Sequence, residues 1–305
     1  MKIIDQTSII SNTISDYIMC KKLGRVVVVF VSIFFFQLSM ASAGSKSEEM
    51  RLIYKAIEGG DLDRVLTKFN DINVNYQDSW GYTPLYKAVF YNRKKIVKYL
   101  FRYGADVNLA DMEGLAPLHV SALENLPELA LSLKKMGANI EAKDNYGYTP
   151  LHLAADQGSL QTAQLLVSRG ANVNTRSGWG GTPLHASVAN KNIGLTKLLV
   201  INGAKIGDRD KLGRTALHWA SEKGDSAITE FLLLKGAETN KADNDGETSL
   251  HEAAKWGHLH IVKLLILYGA DINVAGIDGR KPIHMAIARG NMNIVTFLKN
   301  HGADL

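Results

Sequence analysis

The sequence predicts an all-α solenoid of about eight 33-residue helix-turn-helix units with projecting loops, preceded by a signal peptide. Three observations predict it. Gly81, Gly114, Gly147, Gly180, Gly213, Gly246 and Gly279 fall 33 residues apart. Gly104, Gly137, Gly170, Gly203, Gly236, Gly269 and Gly302 keep the same interval, each followed by alanine. Ahead of both series, an apolar run at residues 26–40 stands between Lys21, Lys22 and Arg25 on one side and Ala41-Ser42-Ala43 on the other. Two series in register over seven periods do not arise by chance, and a fixed period of this size marks stacked supersecondary units.

The apolar run comes first in the chain. At about 15 residues it is shorter than the roughly 20 that a spanning helix needs. A positive flank, a short apolar core and a small-x-small exit are the parts of a secretory signal peptide. Residues 1–43 therefore read as an address, with cleavage after Ala43. Met19 offers a simpler true start, because residues 19–43 make a signal of ordinary length. Left uncut, the run would be a single-pass signal anchor, a reading that Ser32 and Gln37 weaken. In both cases the basic flank stays cytoplasmic and the rest is exported, to the periplasm or the outside. The lone cysteine, Cys20, excludes a disulfide framework and a zinc site built on several thiolates. No Asn-x-Ser/Thr sequon occurs, which suits a bacterial exported protein. Loss of residues 1–43 takes four of the 35 basic and two of the 30 acidic residues, moving the net charge from +5 to +3. That mild balance gives no reason to expect nucleic acid as a partner.

Residues 44–47 read as a short linker, and residues 48–305 as one repeat domain. Within it, residues 48–80 keep two helical stretches, at 50–57 and 62–69, followed by Asn73-Val74-Asn75. They lack the signature of the later units and read as an N-terminal capping repeat. The repeats proper start at 81, 114, 147, 180, 213, 246 and 279. Two residues after each starting glycine stands a tetrapeptide: Thr83-Pro84-Leu85-Tyr86, Ala116-Pro117-Leu118-His119, Thr149-Pro150-Leu151-His152, Thr182-Pro183-Leu184-His185, Thr215-Ala216-Leu217-His218, Thr248-Ser249-Leu250-His251 and Lys281-Pro282-Ile283-His284. The pattern resembles the ankyrin repeat over residues 48–305.

The residues support the same architecture without the name. Threonine is a good N-cap and proline suits the first helical position, where its missing N–H costs nothing. Thr149-Pro150 thus opens a helix, Leu151, Ala154 and Ala155 give it a small apolar face, and Gly158 ends it, as Gly224, Gly257 and Gly290 end others. A second helix follows with 3.6-type spacing, as in Ile261, Val262, Leu264 and Leu265. One such unit cannot bury its own apolar face, so neighbours must bury each other's. Two departures stand out. Leu126-Pro127 opens a second helix, where proline is tolerable, and Lys205-Ile206-Gly207 replaces the usual Asp/Asn-apolar-Asn and is expected to loosen its loop.

Candidate chemistry is thin. Six histidines sit in the signature, but successive helices stand roughly 8–10 Å apart, too far for equivalent ring nitrogens to share a zinc bound at roughly 2 Å. The resemblance gives them a framework role. His258 and His260 are two apart, share no helix face and are expected on the surface. No Gly-x-Ser-x-Gly, P-loop or dinucleotide motif appears, so neither an enzyme nor a cofactor or metal site is expected. A basic cluster, Arg93, Lys94, Lys95, Lys98 and Arg102, places Lys94, Lys98 and Arg102 on one helix face. In an uncut, anchored protein it could meet anionic lipid, the alternative to a protein-binding role.

The resemblance implies recognition of another protein, by a monomer, through loop tips and the exposed side of the first helices. The tips flank the first glycine series. Trp80, Tyr82, Leu115, Tyr146, Tyr148 and Trp179 are the apolar candidates there. Trp219, directly after its signature, and Trp256, four further on in the next unit, are the candidates on the concave side of the first helices. Exposed aromatics call for a reason, and Trp and Tyr are enriched at binding hot spots.

Overall fold

A computed structural model describes residues 45–68 and 73–305. The expected signal peptide, at residues 1–43, lies outside the described residues. Contacts divide the chain into two compact units, Met1–Ile53 and Tyr54–Leu305. In the first, the described residues begin the helix Ser45–Gly59, so the stretch expected as a linker is helical from Ser45. There Arg51 pairs with Glu48, one turn earlier, at 2.5 Å, and Met50 and Ile53 are buried.

The second unit holds the repeats. The described residues of the chain form sixteen α-helices and no strand. The first helices are Pro84–Phe90, Pro117–Leu123, Pro150–Gln157, Pro183–Ala189, Ala216–Lys223, Ser249–Trp256 and Pro282–Ala288. The second helices are Lys94–Arg102, Pro127–Lys135, Leu160–Ser168, Ile193–Ile201, Ser226–Leu234, Leu259–Leu267 and Met292–Asn300. Each first helix packs on its own second helix and on the first helices of its neighbours, and second helices line up beside one another. The close approach follows from small residues: Ala88, Ala122, Ala154, Ala220, Ala253 and Ala286 are fully enclosed, and Leu85, Leu118, Leu151, Leu184, Leu217 and Leu250 on the same helices are buried with them.

The turn between the paired helices needs one left-handed residue. Gly158, Gly224, Gly257 and Gly290 supply it without steric cost, while Asn92, Asn125 and Lys191 adopt φ of 56°, 50° and 55° at the equivalent places. The residue opening the second helix then often reaches back to the carbonyls left over at the end of an earlier first helix. Arg93 donates to Glu58 O, Asn291 to Ala254 O at 2.8 Å, and the His258 ring to Glu222 O at 3.0 Å. His258 is therefore half-buried and tied in, not a surface residue as its spacing implied; His260 is exposed.

Between repeats, an asparagine clamps its neighbour. The Asn75 amide donates to Gly104 O while its oxygen accepts from Asp106 N at 2.8 Å. Asn108, Asn174, Asn240 and Asn273 repeat this, the last accepting from Asp304 N at 2.9 Å. Glu141 substitutes by accepting from Asn172 N at 2.8 Å and from the Thr175 hydroxyl at 2.9 Å. Gly207 occupies the same register and has no side chain to do it, so the clamp is missing from the Lys205-Ile206-Gly207 loop.

Candidate protein-interaction site

The loop tips are built by three local devices. An aspartate three residues before the starting glycine accepts two backbone N–H groups. Asp78 takes those of Trp80 and Tyr82, and Asp144 takes those of Tyr146 and Tyr148, all at 2.8–2.9 Å. The glycine itself sits at φ near +78° and lies against the next tip: a Cβ on Gly147 would come within 2.7 Å of Gly178 N. That close approach lets a backbone hydrogen bond run from tip to tip. Met112 N donates to Trp80 O, Asn145 N to Glu113 O, Gly178 N to Tyr146 O and Lys211 N to Trp179 O, at 2.7–3.0 Å, and the series continues to Ile277 N and Asp245 O.

On this rigid edge the eight candidate residues separate into groups. Trp80, Tyr146 and Trp179 share one register position and are 42%, 42% and 48% exposed. Tyr82 and Tyr148 are half-buried. The Tyr82 ring lies 4.7 Å from Tyr86 and 4.0 Å from the Lys87 ammonium, its carbonyl accepts from the Tyr54 hydroxyl at 2.7 Å, and burial pushes its phenol up to about 12. Tyr148 meets the His152 ring edge-on at 5.6 Å. Leu115 is buried, because it follows its glycine and turns back under the loop, so it is not part of the exposed set. Met112, 66% exposed beside Trp80 on the ladder, belongs to that set. Its signal was its place directly before Glu113, which holds the tip register of Trp80, Tyr146 and Trp179.

Trp219 is buried too. The whole row directly after the signature is less open than its spacing implied, and Val120, Leu153, Glu252 and Met285 are also buried, between packed first helices. The Trp219 indole N–H donates to Asp210 at 3.0 Å, and the Arg214 guanidinium lies 4.4 Å from its ring. Arg214 is itself buried, paired with Glu222 and facing Glu252 at 3.7 Å, and Lys223 completes the group at 2.8 Å from Glu222. Trp256 is exposed at the end of its helix, donates to Glu252 at 3.0 Å and carries the Arg289 guanidinium 5.7 Å from its ring. Sequence reasoning saw the tryptophans and missed this network, whose members come from four consecutive repeats, those starting at 180, 213, 246 and 279.

Five signature histidines act as struts. The ring Nδ1 of His152 accepts from Thr149 N at 3.2 Å, and its Nε2 meets Gly181 O, in the next tip, at 3.2 Å. His119, His185, His218 and His251 make the same pair of bonds. A backbone N–H only donates and a carbonyl only accepts, so each ring is neutral with its proton on Nε2. Burial holds them below the ordinary imidazole range, His152 at about 4 and His218 at about 3. With both nitrogens committed, none offers a lone pair to a metal. Asp243, Glu247 and Glu252 bring one carboxylate oxygen each within 4.8 Å of the others, the one such cluster among the described residues. Positive charge is already present there: Lys255 lies 3.8 Å from Glu247, and Arg214 faces Glu252. Burial, reinforced by Glu252 and Asp243 and opposed by Lys255, pushes Glu247 up to about 7.

The basic cluster is partly spent on structure. Arg93 holds the Glu58 carbonyl and Lys94 pairs with Glu128, leaving Lys95, Lys98 and Arg102 exposed on their helix.

A stack of paired helices joined by a ladder of hydrogen-bonded tips defines a tandem-repeat binding scaffold. Family profiles described as ankyrin repeats match residues 65–121, 108–177, 174–243 and 225–305, well over half of the chain, and the chain belongs to the ankyrin-repeat family. Ankyrin repeats generally serve as protein–protein interaction modules, and proteins built from them are typically non-catalytic scaffolds. A comparison with curated proteins finds no match.

Proposed function

We propose that this chain is an exported protein-binding module that grips its partner with the tip ladder and the adjoining ends of the first helices. One observation carries the reading: Trp80, Tyr146 and Trp179 stand exposed in a single register on an edge whose backbone is hydrogen-bonded from repeat to repeat. Large aromatic rings on a pre-organised edge lose little entropy on binding and are the commonest anchors at interfaces. Trp256 adds a fourth exposed ring on a first helix. Tyr82, Tyr148 and Trp219 serve the scaffold beneath. Export rests on the segment at residues 1–43, and a monomer is the expected state. No helix among the described residues is long and apolar enough to cross a membrane.

Two measurements test this. N-terminal sequencing of the fractionated protein is expected to begin at Gly44; a start at Met1 or Met19 in a membrane fraction would support the anchored form instead. The partner, recovered by crosslinking and mass spectrometry, is expected to bind a Trp80→Ala, Trp179→Ala double variant more than about thirtyfold more weakly, at unchanged melting temperature. Undiminished binding by that variant would remove the tips from the interface.

A further inference from the structure

The second helices carry a surface that the tip reading does not use. Most of the seven end on a polar or charged residue two places before their closing glycine: Arg102, Lys135, Ser168 and Asn300. In three consecutive repeats the same place holds Ile201, Leu234 and Leu267, which are 76%, 65% and 78% exposed. Their helices, Ile193–Ile201, Ser226–Leu234 and Leu259–Leu267, pack side by side, so the three aliphatic side chains form one stripe. One turn earlier Leu198, Phe231 and Leu264 are half-buried, and Tyr268 continues the edge. These helices are apolar nearly all round, the composition of a helix covered on both sides. Ile193–Ile201 has Gly194, Thr196 and Lys197 as its only departures, and Leu259–Leu267 has only His260 and Lys263.

The charge around the stripe says what covers it. The seven second helices hold nine lysines and arginines against two glutamates, whereas the first helices balance three against three. Lys197, Lys235 and Lys263 stand exposed within a turn of the stripe, with Glu230 the one exposed carboxylate on its three helices, and Lys95, Lys98, Arg102, Lys135 and Arg169 extend the positive side toward the first repeats. A second copy of the chain docked on the same face would set cation against cation. A purely polyanionic partner would leave the aliphatic stripe unused. An anionic bilayer uses both, since aliphatic tips enter the acyl boundary while lysine ammonium groups reach the phosphates.

We infer that the second-helix face of the repeats starting at 180, 213 and 246 docks onto an anionic lipid surface, with Ile201, Leu234 and Leu267 inserted and Lys197, Lys235 and Lys263 on the headgroup phosphates. This face is separate from the tips, so docking leaves Trp80, Tyr146 and Trp179 turned to a protein partner. It does not depend on the tip reading being right.

The test is a lysine-acetylation footprint of the full chain, read by mass spectrometry, on vesicles of phosphatidylcholine alone and of phosphatidylcholine mixed in equal parts with phosphatidylglycerol. Mixed vesicles are expected to protect Lys197, Lys235 and Lys263 severalfold while the tip lysines Lys143 and Lys211 react as before; phosphatidylcholine alone is expected to protect none. The triple variant Ile201→Ser, Leu234→Ser, Leu267→Ser, all at exposed positions, is expected to keep its melting temperature and lose the protection, with affinity for mixed vesicles down more than about tenfold. A Lys197→Glu, Lys263→Glu variant is expected to lose about fivefold per lysine. Equal reactivity with and without mixed vesicles, full protection in the triple serine variant, or protection appearing with protein concentration in the absence of vesicles would overturn the proposal. The first result would leave an acidic protein as the occupant, the second would place binding at another part of the chain, and the third would indicate a second copy.

Discussion

The signature histidine ties its repeat to the next. Its two ring nitrogens join its own helix start to the tip of the next repeat, and they can do so only while the ring is neutral. Unfolded, the same imidazole takes up a proton near pH 6.5. In the fold, burial holds His119, His152, His185, His218 and His251 below that, His152 to about 4 and His218 to about 3. The unfolded chain therefore binds more protons as pH falls below about 6.5, and stability drops by up to ~1.4 kcal/mol per pH unit for each such histidine. Glu247 acts in the opposite sense: raised to about 7 in the fold, it gives up stability as pH rises from its unfolded value through 7. The expected outcome is a denaturation midpoint that falls on going from pH 7 to pH 5, and falls more steeply in Glu247→Gln. A midpoint that holds or rises on acidification would contradict the neutral-strut assignment. The Thr-Pro-Leu-His tetrapeptide exposed this residue in the sequence and excluded a shared metal by spacing alone. What it could not give was the far partner, a carbonyl 29 residues on, because a carbonyl leaves no mark in the sequence.

At the level of the single repeat, helix limits were legible because their causes are local. Thr83 accepts the Tyr86 N–H as an N-cap, prolines stand at first positions, and left-handed glycines end three of the first helices. Less legible was which way side chains turn after the signature. Leu115 and Trp219 looked available by register and are covered, because burial depends on the adjacent unit and not on the repeat's own period. His258 went astray for the same reason: its partner belongs to the preceding unit. The loop containing Lys205, Ile206 and Gly207 is the instructive departure. Its neighbours each close the joint with an asparagine that donates once and accepts once, and Gly207 does neither. A Cβ there would meet only the Lys241 ammonium at 3.3 Å and the Glu238 carboxylate at 3.8 Å, both ends of flexible side chains. Gly207→Asn is expected to restore the clamp and to lower the entropy of the unfolded chain, raising stability by about 1 kcal/mol. Urea denaturation checks it; an unchanged or lower midpoint would mean that the clamp contributes nothing at this joint.

Across the repeat unit as a whole, the consistent theme is that each repeat is finished by the next. Its tip is bonded forward along the backbone ladder, its histidine reaches forward to the next tip, its asparagine clamps forward, and its alanines are enclosed by the neighbouring first helix. The regular 33-residue series announced this arrangement at once. The surfaces left over are harder to read: the tip aromatics are visible because tips are few and marked by glycine, whereas the stripe of Ile201, Leu234 and Leu267 is written in the same aliphatic residues as the buried side of its helices and differs only in exposure. If repeats stabilise one another only through their shared boundaries, stability is close to a sum of unit and neighbour contributions. The most direct test is to excise one complete internal repeat, residues 180–212, and to follow unfolding in urea. The expected result is a chain that still folds and unfolds cooperatively, with a lower midpoint and a shallower denaturant slope because less surface is exposed on unfolding. An unchanged midpoint and slope, or a chain that no longer folds at all, would contradict it.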